Sequence, residues 1–131
     1  MPVIHIAAAL TTDDRGSCLL VRKRGTSAFM QPGGKIEPGE EPLDALRREL
    51  YEELRLTTAR ADYTEIGVYD EDAANEPGHR VHAHVYQLVV GRDAPVPSAE
   101  IAEARWVDPR DTAGLDVAPL TRRHLLPLLS T

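Results

Sequence analysis

The chain of 131 residues is short of cysteine, of basic charge and of long apolar runs. Cys18 is the only cysteine, so no internal disulfide can form, and a reducing compartment fits. Fifteen Lys and Arg stand against 21 Asp and Glu, which leaves a net charge of −6 and a pI near 5.3. A surface of that sign argues against a stable nucleic-acid partner and against an anionic membrane, both of which need a basic face. No apolar stretch is long enough to span a bilayer. The start, Met1-Pro2-Val3-Ile4-His5, has no basic region followed by a long apolar run, so a leader is not expected. Internal repeats, low-complexity tracts and linkers are also missing. The expectation is one domain over residues 1–131, soluble and cytoplasmic, with enough chain for one core.

What the chain does have is concentrated between Gly34 and Leu56. Pro42 suits the first turn of a helix, where the amide it lacks would be unpaired anyway. Good helix formers run from there to Leu54. At helical spacing Leu43, Leu46, Leu50 and Leu54 form one apolar stripe. Glu49, Glu52 and Glu53 fall on another face as near neighbours. Three crowded carboxylates repel one another unless a cation sits between them. Upstream, Pro32-Gly33-Gly34-Lys35 reads as a loop whose glycines allow close approach of a ligand. Oxygen ligands of this kind suit Mg²⁺ or Mn²⁺ and not zinc. The competing reading is a solvated acidic helix with an ordinary Arg48–Glu52 pair. The glycine loop at this spacing favours a platform for metal and diphosphate.

Gly34, five residues, Glu40, seven residues, then Arg48-Glu49-Leu50-Tyr51-Glu52-Glu53-Leu54-Arg55-Leu56 resembles the signature of the Nudix hydrolases. The departure is Arg55, which stands where that family usually has glycine; it is expected to alter the helix exit and leave the metal site intact. The resemblance implies an α/β/α sandwich with a mixed sheet between helices. It implies hydrolysis of a nucleoside diphosphate linked to another group, with Mg²⁺ or Mn²⁺ as cofactor and a small nucleotide as partner; a homodimer is also allowed. Glu52 and Glu53 become the metal ligands, with the Gly33 carbonyl able to complete the sphere. Glu49 becomes a ligand or the general base. Arg48 orients Glu49 or Glu52, and Glu40 pairs with Arg48. Glu100, in the loop before a late strand, resembles a residue that joins the metals or acts as base, with Glu103 the lesser candidate. The motif of the coenzyme A hydrolases and the aromatic-proline array of the NADH-cleaving group are not present. A short chain without an N-terminal extension resembles the nucleotide-cleaning branch. Hydrolysis of ADP-ribose or a nucleotide sugar is the first alternative, and a sensor that binds a nucleotide without cleaving it is the second.

The remaining segments are placed by pattern. Residues 3–10 read as a buried strand and 18–21 as its neighbour across the turn Asp13-Asp14-Arg15-Gly16. Cys18 reads as a small core residue. Arg22-Lys23-Arg24 follows, and strand alternation puts Arg22 and Arg24 on one side and Lys23 on the other. Arg22, Arg24 and Lys35 are the candidates to meet phosphate. Phe29 is expected to pack in the core, with stacking on a base as its alternative. Residues 62–69 read as a strand and 70–78 as a loop or a substrate-facing lid. In the strand expected at 79–90, His82 and His84 share a face; with no third histidine or cysteine at a supporting spacing, they read as strand-face residues. A proline-rich loop over 91–98 leads to a short strand, 104–107, anchored by Trp106. Asp116 is expected to cap a final helix through Leu120, His124, Leu125 and Leu128, ended by Pro127, and covering one face of the sheet.

Overall fold

Strand β1, Val3–Thr12, sends alternate side chains to opposite faces of a sheet, and both faces are covered. Ala7 and Ala9 belong to one buried cluster, Ala8 and Leu10 to the other. Strand β2, Cys18–Lys23, repeats the division, with Leu19 and Val21 on the first side and Cys18 and Leu20 on the second. Two covered faces explain why these segments read as nearly unbroken apolar runs. The computed structural model describes residues 2–91 and 94–129; Met1, and Arg92 and Asp93 of the expected 91–98 loop, lie outside the described residues.

The remaining strands are β3 (Phe29–Met30), β4 (Gly33–Lys35), β5 (Tyr63–Asp72), β6 (Arg80–Val89) and β7 (Ile101–Val107). They form a mixed sheet in the order β3-β2-β1-β6-β5, with β4 paired to β1 and β7 to β2. The pairing of β1 with β6 is parallel and runs from Val3↔Arg80 to Thr12↔Val89. Helix α1, Pro42–Leu54, covers the first face with Ala45, Leu46, Leu50 and Leu54 buried. The second face is closed by a π-helical turn, Thr121–Leu125, and a 3-10 turn, Leu126–Leu128, through Leu120, Leu125 and Leu126. The result is the expected sandwich of helix, sheet and helix.

Several boundaries differ from the sequence reading. The segment 62–69 continues to Asp72, and the late strand begins at Ile101, because each has a partner strand that satisfies its backbone over the extra residues. Pro32-Gly33-Gly34-Lys35 is not a free loop: Gly33–Lys35 is strand β4, antiparallel to Ile6, Ala7 and Ala8. Gly33 has φ +143°, and a Cβ there would lie 2.2 Å from the Ala7 carbonyl oxygen, so only glycine fits. Asp116 does not cap the final helix. Its carboxylate accepts from the Ser27 hydroxyl and its carbonyl from the Phe29 amide, while helical structure begins at residue 119. Near the end of that helix Leu126 N–H donates to the Thr121 carbonyl, five residues back. Pro127, which has no N–H to give, opens the 3-10 turn that follows.

Arg55 takes the glycine conformation itself, at φ 57° and ψ 30°. Its N–H donates to the Tyr51 carbonyl, and Leu56 N–H to the Leu50 carbonyl, six residues back. These bonds make the ordinary left-handed helix exit, so the expected alteration does not occur.

Candidate active site

The site is built where β4 runs beneath α1. Gly34 pairs with Ala7 and carries no side chain, which lets the Glu49 carboxylate lie against its Cα. A Cβ at Gly34 would come within 2.4 Å of Glu49 Cδ. Arg48, beside Glu49 on the helix, is the hub of the arrangement. Its Nε and Nη2 donate to the two oxygens of Glu40, each at 2.9 Å. Nη1 donates to Glu49 Oε1 at 3.0 Å and lies 3.5 Å from Glu52 Oε2, and Nη2 reaches the Lys35 carbonyl at 3.1 Å. One guanidinium thus ties together the loop after β4, β4 itself and two of the helix glutamates. Hydrogen bonding to Arg48, then to the Glu37 amide, pulls the Glu40 carboxyl down to about 2. Glu40 in turn raises the Arg48 pKa.

Glu53 is the unusual member. It is 3 % exposed, and its Oε2 has no hydrogen-bond partner among the described residues. Burial first, then the charge of Glu49 and the approach of Glu100, pushes its carboxyl up to about 8. Burial also raises Glu49, against the pull of Arg48. Among the described residues no three Asp, Glu, His or Cys side chains already stand as a metal site. The fit to a cation therefore rests on Glu53. A buried carboxylate oxygen without a donor, flanked by two more carboxylates, is a position that a divalent cation satisfies and a proton otherwise fills.

Glu100 reaches this cluster because the preceding loop is pinned to the end of α1. Val96 N–H donates to the Leu54 carbonyl at 2.9 Å and Ser98 N–H to the Glu53 carbonyl at 2.8 Å. Ala99 then turns at φ 54°, and Arg24 N–H holds the Glu100 carbonyl at 2.7 Å. Lys23 Nζ lies 3.7 Å from Glu100 Oε1. Glu103 instead pairs with Arg105 at 2.7 Å and Arg22 at 3.6 Å.

A cleft of about 390 Å³ opens beside these groups. One set of its walls is charged or glycine: Glu49, Glu100, Lys23, Lys35, Gly33 and Gly34. The other is apolar: Ile4, Ile6, Met30, Val81, Ala118 and Leu120, with Gln31 and Asn75 among them. Residues 72–76, from the segment read as a loop or lid, also line it. Of the expected phosphate contacts, Lys35 lines the cleft, 3.9 Å from Glu76 Oε1. Arg22 and Arg24 do not; Lys23 takes their place. The register of β2 on β7 sets Arg22 opposite Glu103, and Arg22 Nη1 donates to the Thr26 carbonyl at 2.9 Å. Phe29 is not at the cleft either. It is buried in the second face of the core, with the Arg105 guanidinium 4.8 Å above its ring.

The sequence reading missed Lys23, Gln31, Asn75 and the apolar wall. Only the position of Gln31 beside Pro32 and Gly33 signalled its place. It also missed His5: the parallel register sets His5 opposite His82, with the rings of His5 and His84 5.4 and 5.5 Å from the ring of His82, and Asp70 2.8 Å from its Nδ1.

The model of the family described as the NUDIX domain matches residues 2–129. A protein named putative 8-oxo-dGTP diphosphatase from Bacillus subtilis is 27% identical over 103 residues, 79% of this chain and 65% of that protein. An 8-oxo-dGTP diphosphatase from Haemophilus influenzae is 34% identical over 67 residues, 48% of this chain and 49% of that protein. The matched stretches thus span from half to just under two thirds of these relatives' own lengths. A MutT NUDIX hydrolase from Burkholderia pseudomallei shares the fold, with a TM-score of 0.81 over 100% of both chains at 23% identity.

Proposed function

This chain belongs to the Nudix family, and on that premise we propose that it hydrolyses a nucleoside triphosphate, or a modified form of one, to the monophosphate and pyrophosphate. The observation that carries the proposal is the buried Glu53 carboxylate, whose Oε2 finds no hydrogen-bond partner among the described residues, beside Glu49 and Glu100 and at a cleft that joins this acidic cluster to an apolar wall. The names of the relatives, which concern an oxidised purine triphosphate, support that substrate class.

With Glu49 as the base, Glu53, Glu52, Glu100 and the Gly33 carbonyl are the groups that would hold Mg²⁺ or Mn²⁺. Such a cation supplies Lewis-acid stabilisation of the charge on the phosphate oxygens. Glu49 is suited to accept the proton of the attacking water: burial raises its pKa, and Arg48 holds one of its oxygens, leaving the other to work. The water oxygen bonds to phosphorus, the bridging P–O bond breaks, and pyrophosphate leaves. Lys23 and Lys35 bring positive charge to the outer phosphates. The apolar wall excludes water and receives the base.

Product analysis tests the proposal. With Mg²⁺ or Mn²⁺ at mildly alkaline pH, oxidised and ordinary purine triphosphates should release pyrophosphate and a monophosphate. Release of inorganic phosphate alone would describe a simple phosphatase and overturn it. A higher kcat/KM for ADP-ribose or a nucleotide sugar would replace the substrate. Tight nucleotide binding with no cleavage would mark a sensor.

A further inference from the structure

Gln31 is a polar side chain in a cleft whose lining also includes Ile4, Ile6, Met30, Val81, Ala118 and Leu120. It lies between β3 and β4, is 8% exposed, and lines the cleft with Met30, Ile6 and Leu120. Its partner is Thr121, on the terminal π-helical turn and 1% exposed. The two residues, ninety apart in sequence, are joined twice. The Gln31 backbone N–H donates to Thr121 Oγ1 at 3.0 Å. The Thr121 hydroxyl then donates to Gln31 Oε1 in a short hydrogen bond. The amide oxygen is the atom turned to Oγ1, so the hydroxyl, which accepts from the backbone N–H, donates its own hydrogen to the side chain.

In this arrangement the amide turns its oxygen to Thr121 and its nitrogen away. Its oxygen is engaged, and its Nε2 carries two hydrogens for which no acceptor stands among the described residues. The group that meets a ligand in the cleft is therefore a donor pair in an apolar setting, where an unmatched polar group is costly.

We infer that Gln31, oriented by Thr121, is a specificity-determining residue that selects nucleobases presenting a carbonyl oxygen over those presenting an amino group at the same position. The inference rests on the triphosphate reading of the cleft. A carbonyl, as in guanine or hypoxanthine O6 or uracil O4, accepts from Nε2. The amino groups of adenine and cytosine bring hydrogens against hydrogens. One neutral hydrogen bond of this kind discriminates by up to about tenfold, and the unpaired donor adds to it.

The experiment compares bases that differ at the carbonyl or amino group and the ring nitrogen beside it: dITP against dATP, and dUTP against dCTP. The ratio of kcat/KM within each pair is measured for the wild type and for Gln31→Leu, Thr121→Val and Thr121→Ser. In parallel, calorimetry without metal measures binding of the matching monophosphates. The wild type should favour the carbonyl member by about tenfold. Gln31→Leu and Thr121→Val should bring the ratio towards one, and Thr121→Ser, which keeps the hydroxyl, should retain it. A ratio unchanged in Gln31→Leu and Thr121→Val overturns the inference and leaves the triphosphate reading standing. If no triphosphate is cleaved but the monophosphates still bind with a ratio that depends on Gln31, the hydrolysis reading fails and the inference stands. Absence of both cleavage and binding overturns both.

Discussion

Glu53 is easier to keep protonated than ionised, and that has two measurable consequences. In the native state its carboxyl titrates at about 8, against an ordinary value of 4.5. Between those values the native state holds a proton that the unfolded chain has released, so stability falls as pH rises through this window. Below about 4.5 both states are protonated, and above about 8 both are ionised, so the contribution is flat outside it. In chelator, the wild-type melting temperature should therefore decline from pH 4.5 to 8 more steeply than that of Glu53→Gln. The same substitution should lower kcat with Mg²⁺ by about 100-fold or more, with the fold intact by circular dichroism. Wild-type turnover in the variant would remove Glu53 from the mechanism. Arg55 tests a different cost. A non-glycine residue in the left-handed conformation costs about 1–2 kcal/mol, offset by about 0.5 kcal/mol from its guanidinium lying 5.3 Å from the centre of the Tyr51 ring. Arg55→Gly should stabilise the protein by about 1 kcal/mol, a rise of a few degrees in melting temperature, without changing kcat. A fall in melting temperature would mean that the Tyr51 contact outweighs the strain.

At the scale of the element, α1 carries two opposed demands. Its apolar stripe of Leu46, Leu50 and Leu54 is buried against the sheet, while Glu49 and Glu53 crowd together on its flank. Arg48 relieves Glu49 and Glu52, but among the described residues no donor reaches Glu53 Oε2. A cation that binds the native state alone raises stability with its concentration. Mg²⁺ or Mn²⁺ should raise the melting temperature of the wild type, and at 100 times the dissociation constant the gain is about 2.7 kcal/mol. The double variant Glu52→Gln, Glu53→Gln should show a much smaller shift. Equal shifts in the two proteins would place the cation elsewhere.

Across the whole molecule, the cleft depends on how β5 meets the terminal helical turns. Glu71, 7% exposed at the end of β5, accepts from Arg123 Nη1 at 2.9 Å and lies 3.1 Å from His124 Nε2. That contact ties residues 72–76 to the segment that carries Ala118 and Leu120, and both line the cleft. Glu71→Ala should cost up to about 1 kcal/mol, because Arg123 is exposed and His124 half-buried and both can turn to water once the carboxylate is gone. It should also raise KM more than it lowers kcat, since the acidic cluster lies on other elements. A change confined to kcat would show that the clamp acts on the chemistry instead.

The site on α1 was legible in the sequence because its geometry is local. Helical spacing brings Arg48, Glu49, Glu52 and Glu53 together whatever the rest of the chain does, and Pro42 and the leucine stripe set the helix in place. The buried strands were legible too, because runs covered on both faces leave an apolar record, while the sandwich itself was implied by the resemblance of the signature. Tertiary structure decided what depends on register between distant strands. Alternation alone separated Lys23 from Arg22 and Arg24, but the pairing of Arg22 with Glu103 chose which side faced the cleft. Phe29 went to the core for the same reason, and His5 met His82 only through the parallel pairing of β1 with β6. Gln31 gained its orientation from Thr121, ninety residues on, by a contact that no local pattern encodes. Neighbours on one helix follow from a fixed rise and rotation per residue, whereas neighbours across a sheet follow from which strands pair and in what register.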